Sequence, residues 1–163
     1  MALRTIVKDG DPILKKVCRP VTKFDDRLAT LLDDMQDTLV DADGLGLAGP
    51  QVGMMRRNRP EDAPADYKDT FIEFINPEIE YLSDETVELY EGCLSFPGHN
   101  GAITRSKKVK VKAQDRNGNW FELEAENMLA RCIQHENDHL NGVTIMDRAT
   151  HFYEDDYPED TED

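Results

Sequence analysis

At 163 residues with 39% hydrophobic content, the chain has material for one core, and a single domain over residues 1–149 is expected. Its 34 acidic and 19 basic residues leave a net charge of −15, which repels phosphate backbones and argues against direct nucleic-acid contact. No apolar run is long enough to span a bilayer and no export signal opens the chain, so a cytoplasmic protein without membrane contact is expected.

Three cysteines, Cys18, Cys93 and Cys132, do not make a disulfide framework and fit a reducing compartment. Residues 1–23 read as irregular, with a turn at Asp9-Gly10-Asp11-Pro12 and a second break at Cys18-Arg19-Pro20. Leu28, Leu31, Leu32, Met35 and Leu39 then fall on one stripe, which predicts a packing helix from about Asp25 to Asp41. Asp25 and Asp26 stand at its start, where the helix dipole favours negative charge.

From Gly44 to Gly53, four of ten residues are glycine, marking backbone that bends tightly or lets another group come close. The segment lacks the Gly-Lys-Ser/Thr ending of a phosphate loop. Leu45 and Leu47 alternate with glycine and suggest a short strand open to a ligand. Met54–Lys68 reads as a polar loop. Strands are expected at Phe71–Ile75, ended by Asn76-Pro77, at Ile79–Leu82 and at Thr86–Tyr90.

Val109, Val111 and Ala113 alternate with Lys108, Lys110 and Lys112, a strand with one buried and one wet face. Asn117-Gly118 predicts a two-residue turn into a partner strand, Trp120–Glu124. Leu129, Cys132, Ile133 and Leu140 have helical spacing, and Gly142 makes a stop. The expected class is α+β: antiparallel sheets around a central C-terminal helix, with one N-terminal helix. Residues 150–163, acidic from Glu154 onward, are expected to form a disordered, solubilising tail.

The second helix carries Gln134-His135-Glu136-Asn137-Asp138-His139. Its form is His-Glu-x-x-His, so two imidazoles project from one face a turn apart and can grip one metal ion. Glu136 is placed to act on water beside that ion. A catalytic site of this kind needs a third protein ligand. The peptidase continuation His-x-x-Gly-x-x-His/Asp fails, because Ile145 occupies the ligand position. His151 and Glu159 lie in or near the tail. Cys93, in Glu91-Gly92-Cys93-Leu94-Ser95 after a strand, is the remaining candidate.

With that segment, the chain resembles the peptide deformylases. Their signatures are a glycine-rich segment ending in glutamine, Glu-Gly-Cys-Leu-Ser and Gln-His-Glu-x-x-His. All three occur in order at 44–51, 91–95 and 134–139. The resemblance implies hydrolysis of the formyl group from the N-terminal formyl-methionine of new polypeptides. It implies that Cys93, His135 and His139 hold one divalent ion, Fe2+ natively, with Zn2+, Ni2+ or Co2+ accepted. Glu136 would move the proton, while Gln51 through its amide and Leu94 through its backbone N–H would stabilise the oxyanion. Leu45 and Gly46 would pair with the substrate as an added strand. Glu91 is placed among the substrate-site residues, and Met128, Cys132 and the His135 ring join Leu45 around the methionine side chain. Arg105 would form a structural ion pair with Glu91.

The sequence departs from the family's usual pattern in three places. Residues 54–60 hold three arginines and a proline where an apolar strand is usual, which is expected to weaken the sheet. Gly49 stands where alanine is usual, which is expected to loosen the loop bearing Gln51. The short acidic end replaces a basic C-terminal helix and is similar to deformylases encoded by viruses of bacteria. Ribosome docking is therefore expected to be weak or absent, and the protein monomeric.

Overall fold

The leucine stripe folds as α1 (Asp26–Asp41), with the Asp25 carboxylate accepting from the Leu28 N–H at its start. Leu28, Leu32, Met35 and Leu39 are buried along one face. The computed structural model describes residues 3–8, 10–49, 51–56, 64–65 and 70–152. The expectations for residues 57–63 and 66–68 of the polar loop and for the tail beyond Phe152 lie outside the described residues.

Among the described residues seven strands follow: β1 (Gly46–Gly49), β2 (Val52–Arg56), β3 (Phe71–Leu82), β4 (Thr86–Glu91), β5 (Gly101–Ser106), β6 (Lys108–Gln114) and β7 (Trp120–Glu126). Five of them form an antiparallel sheet in the order β1-β2-β3-β6-β7, while β4 and β5 pair as a separate ribbon. The second long helix, α2 (Asn127–Leu140), follows β7 directly, and a single turn, α3 (Ile145–Arg148), follows that. The α+β class is as expected, with the His-Glu-x-x-His helix between the two sheets.

The large sheet is covered on both faces, and β2 shows why. Val52 and Met54 alternate onto the α1 side with Ile75, whereas Met55 joins Phe74, Val109, Val111 and Ile133 on the α2 side. All of β2 from Val52 to Met55 is therefore buried. Met54 and Met55, expected in a polar loop, belong to a central strand. The neighbouring charges obscured this in the sequence; Arg56 closes the strand and reaches Asp43 at 3.3 Å.

Other sequence expectations shift for identifiable reasons. Asn76-Pro77 does not end a strand but makes a bulge within β3. Asn76 adopts φ 51°, and its side chain clasps the Val21 backbone with bonds of 2.7 and 2.9 Å. The β6–β7 hairpin has its expected register, but its loop is longer than two residues. The Asp115 carboxylate captures the N–H groups of Asn117 and Asn119, and only Gly118 takes a left-handed conformation. Strand β5 and turn α3 were not expected. The latter is closed by a capping box between Thr144 and Asp147.

Gly142 stops α2 as expected. Its N–H bonds the His139 carbonyl at 3.1 Å and the Val143 N–H bonds that of Asp138 at 2.8 Å, a Schellman closure. Gly142 has φ +74°, and a Cβ there would lie 2.4 Å from the Lys15 carbonyl oxygen. Gly142→Ala is expected to cost more than about 1–3 kcal/mol, the scale of a left-handed non-glycine residue, before the clash is added. Urea unfolding of the purified variant measures this.

Candidate metal centre

Helix α2 presents His135 and His139 on one face, their ring centroids 5.0 Å apart. Cys93 arrives from the loop after β4, placing its Sγ 3.3 Å from His139 Nε2. One ligand atom from each of Cys93, His135 and His139 lies within 4.8 Å of the others. Among the described residues this is the one such group of three or more. Metal–ligand bonds of about 2.0–2.3 Å require donors roughly 3.3–3.8 Å apart around a tetrahedral ion, so the arrangement fits a single cation.

The electrostatics fit as well. Burial works against a charged Cys93 sulfur, but hydrogen bonds to His135 and His139 outweigh it and bring the thiol down to about 6. Burial works against protonated His135, yet the charge of Glu136 and bonds to Cys93 and Glu91 raise it to about 10. Surroundings that hold a proton on an imidazole so firmly also favour a divalent cation, which displaces that proton on binding. A thiolate with two imidazoles suits several first-row ions. Cys132 differs: burial, then the charges of Glu136 and Glu91, push its thiol up to about 12. Its side chain packs against the core on the α2 side of the sheet and lines the cleft as a neutral thiol.

Glu91 stands behind the imidazoles. Burial opposes its ionisation, but bonds from His135 and Arg105 hold its carboxyl far below the usual range. Its Oε1 accepts from His135 Nδ1 at 3.0 Å and Arg105 Nη2 at 2.9 Å, and its Oε2 from Arg105 Nε at 2.8 Å. Arg131 Nη1 also reaches Oε2. Arg105 extends to Asp138 Oδ2 at 2.6 Å, where Arg148 Nε also arrives at 2.6 Å.

A cleft of about 930 Å³ opens over these residues. Leu45, Gly46, Glu91, Cys93, Leu94, Met128, Cys132, His135, Glu136 and His139 all line it. On one side it is bordered by β1, an edge strand of the large sheet. Glu136 packs against that strand so closely that a Cβ on Gly46 would lie 2.6 Å from its Oε2. The close approach foreseen from the glycines is thus made by the carboxylate of α2. Gly49 similarly admits Met35, whose Sδ would stand 3.3 Å from an added Cβ.

The comparisons agree with this architecture. The family model described as Polypeptide deformylase matches residues 3–154. The chain belongs to that family. It is 49% identical over 152 residues to the peptide deformylase of Caldicellulosiruptor bescii, covering 93% of this chain and 89% of the relative. It is 49% identical over 150 residues to that of Clostridium botulinum, covering 92% and 99%. The crystal structure of peptide deformylase from Thermotoga maritima superposes with a TM-score of 0.81 at 40% identity, covering 91% of this chain and 99% of that one. This deformylase is therefore a metal-dependent hydrolase that removes the formyl group from the N-terminus of new polypeptides.

Two of the expected site residues of the deformylase make hydrogen bonds within the protein. Gln51, at φ 55°, donates from its Nε2 to the Cys18 carbonyl at 2.8 Å, and Cys18 itself lines the cleft. Glu91 has both oxygens occupied by Arg105, Arg131 and His135, leaving no acceptor position for substrate. Arg105 is buried between two carboxylates and is no exposed strand arginine. His151 turns to the Tyr90 hydroxyl at 3.0 Å, away from the ligand cluster. Thr150–Phe152, counted with the tail, are hydrogen-bonded to β5 through Ala102 and bridge to Gly101.

Arg131, Asp138 and Arg148 were missed by sequence reasoning. A detectable signal existed for Arg131: it is a charge on the apolar face of α2, one turn before His135. Arg105→Met leaves Glu91 and Asp138 buried without their shared cation. It is expected to lower stability by about 3–5 kcal/mol, read as a fall in the midpoint of chemical unfolding.

Proposed function

We propose that Cys93, His135 and His139 hold one divalent cation, ferrous iron in the cell, and that deformylation takes place in the cleft beside them. Zn2+, Ni2+ and Co2+ are the expected substitutes. One observation carries this reading: a sulfur poised to ionise meets two imidazoles in the wall of a cleft bordered by an open strand edge. A cation in that position supplies Lewis-acid chemistry, drawing electron density from a carbonyl and lowering the pKa of water.

The chain's own residues do the rest. His135 gives its Nδ1–H to Glu91, which leaves Nε2 as the donor atom and fixes the ring. Glu136 accepts the proton of the attacking water and passes it to the departing amine nitrogen. The developing oxyanion is met by the Leu94 N–H and the Gln51 amide. That amide carries two hydrogens and Cys18 takes one, which leaves the second available to the oxyanion. Leu45, Met128, Cys132 and the His135 ring receive the methionine side chain. The free edge of β1 at Leu45–Gly46 pairs with the peptide backbone, which makes selection beyond the first residue sequence-tolerant.

The catalytic unit is residues 1–149, acting as a cytoplasmic monomer, with the acidic stretch from Thr150 outside the machinery. No helix among the described residues is long and apolar enough to cross a membrane. The net charge of −15 supports the absence of direct nucleic-acid contact and weak or absent ribosome docking.

Protein purified without oxygen is expected to release formate from formyl-Met-Ala-Ser and leave acetyl-Met-Ala-Ser intact. Chelation should abolish this and Fe2+ restore it, while failure with every ion tried would refute the reading. Glu136→Ala is expected to keep its ion by metal analysis and lose turnover by about 10²–10⁴-fold or more. Ribosome co-sedimentation should be weak with or without residues 150–163; strong binding that depends on them would contradict the docking assignment.

A further inference from the structure

The candidate centre joins two distant pieces of chain, since Cys93 follows β4 while His135 and His139 project from α2. Whatever fixes β4 against α2 therefore fixes the distance from sulfur to imidazoles. One side chain spans that junction at three points. Arg131, one turn before His135 on the same helix, is 6% exposed. Its Nη1 donates to Glu91 Oε2 and to the Ile103 carbonyl at 3.2 Å, and its Nη2 donates to the Val87 carbonyl at 2.6 Å. A single planar group thus ties α2 to both strands of the β4–β5 ribbon and to the residue two positions before Cys93.

The Glu91 carboxylate shows what the tie does. It offers four acceptor positions, and four donors occupy them: Arg105 Nη2 and His135 Nδ1 on Oε1, Arg105 Nε and Arg131 Nη1 on Oε2. Without Arg131, one oxygen is a donor short and the carboxylate can turn about its bond to Arg105. The His135 ring must follow, because its Nδ1 rides on the other oxygen. Lysine is no substitute, since one ammonium cannot reproduce a rigid fork that reaches three acceptors.

We propose that Arg131 is a positioning residue of the centre, clamping Glu91 and the β4–β5 ribbon to α2 so that Cys93 and His135 meet at ion-binding distance. It acts on how firmly the ion is held and how the ligands face it, and not on substrate affinity. The proposal rests on the assignment of Cys93, His135 and His139 as ligands.

Cobalt-loaded full-length protein provides the test. Arg131→Met is expected to release Co2+ to a chromogenic chelator about 10–100-fold faster than wild type, the usual effect of losing an outer-shell partner. Its visible absorption bands should shift, and kcat should fall with KM little changed. Arg131→Lys should show the same changes in weaker form and carries the test if the methionine variant does not fold. Arg116→Met, which removes a remote pair with Glu73 and Asp33, controls for lost stability and should leave release and spectrum unchanged. Wild-type release and spectrum in both Arg131 variants, whatever their melting temperatures, would overturn the proposal. Failure of the ligand assignment is distinguishable, because wild type would then take up no cobalt, or Cys93→Ser would hold it equally well.

Discussion

The site depends on one buried carboxylate that is never left without donors. Glu91 lies at the end of β4, and its two oxygens collect a histidine and two arginines from β5 and α2. Taking such a charge out of water is costly unless every lone pair is satisfied. The network continues through Arg105 to Asp138 and on to Arg148 in α3. Strand, helix and closing turn are thereby fixed to one another behind the imidazoles, and Cys93 is two residues along the chain from the carboxylate that anchors them.

A second constraint comes from the sheet. With α1 on one face and α2 on the other, the strands between them must be apolar on both sides. Val52 to Met55 meet that condition with side chains of mixed size, and glycine marks where α2 comes nearest. At Gly46 the approach is so close that a methyl group would displace the Glu136 carboxylate. The glycine-rich segment thus serves two neighbours: it admits the Glu136 carboxylate and leaves an open strand edge to the cleft.

Much of this was legible from residue order alone, and the misreadings share a cause. Periodicity located α1, α2 and the β6–β7 hairpin because each has one wet and one buried face. It failed for β2, where burial on both faces removes the alternation, and for β5, where successive buried positions include the charged Arg105. Arg105, Arg131 and Asp138 are charges in the interior, and nothing local distinguishes a paired buried charge from an exposed one. The partner that decides is 14 residues away for Arg105 and 40 for Arg131.

Sequence by itself determined the chemistry: a helical histidine pair with its glutamate, a glycine-flanked cysteine, and a glycine-rich segment ending in glutamine, since donor type and short-range spacing are properties of the chain. Tertiary structure alone decided that one sulfur lies within reach of two imidazoles, that Glu91 holds the His135 ring and has its acceptor positions filled, and that Gln51 rests on the Cys18 carbonyl. Those outcomes depend on distances between segments tens of residues apart. Such distances are set by how two sheets and two long helices pack, a balance of burial and charge pairing that no short window of sequence contains.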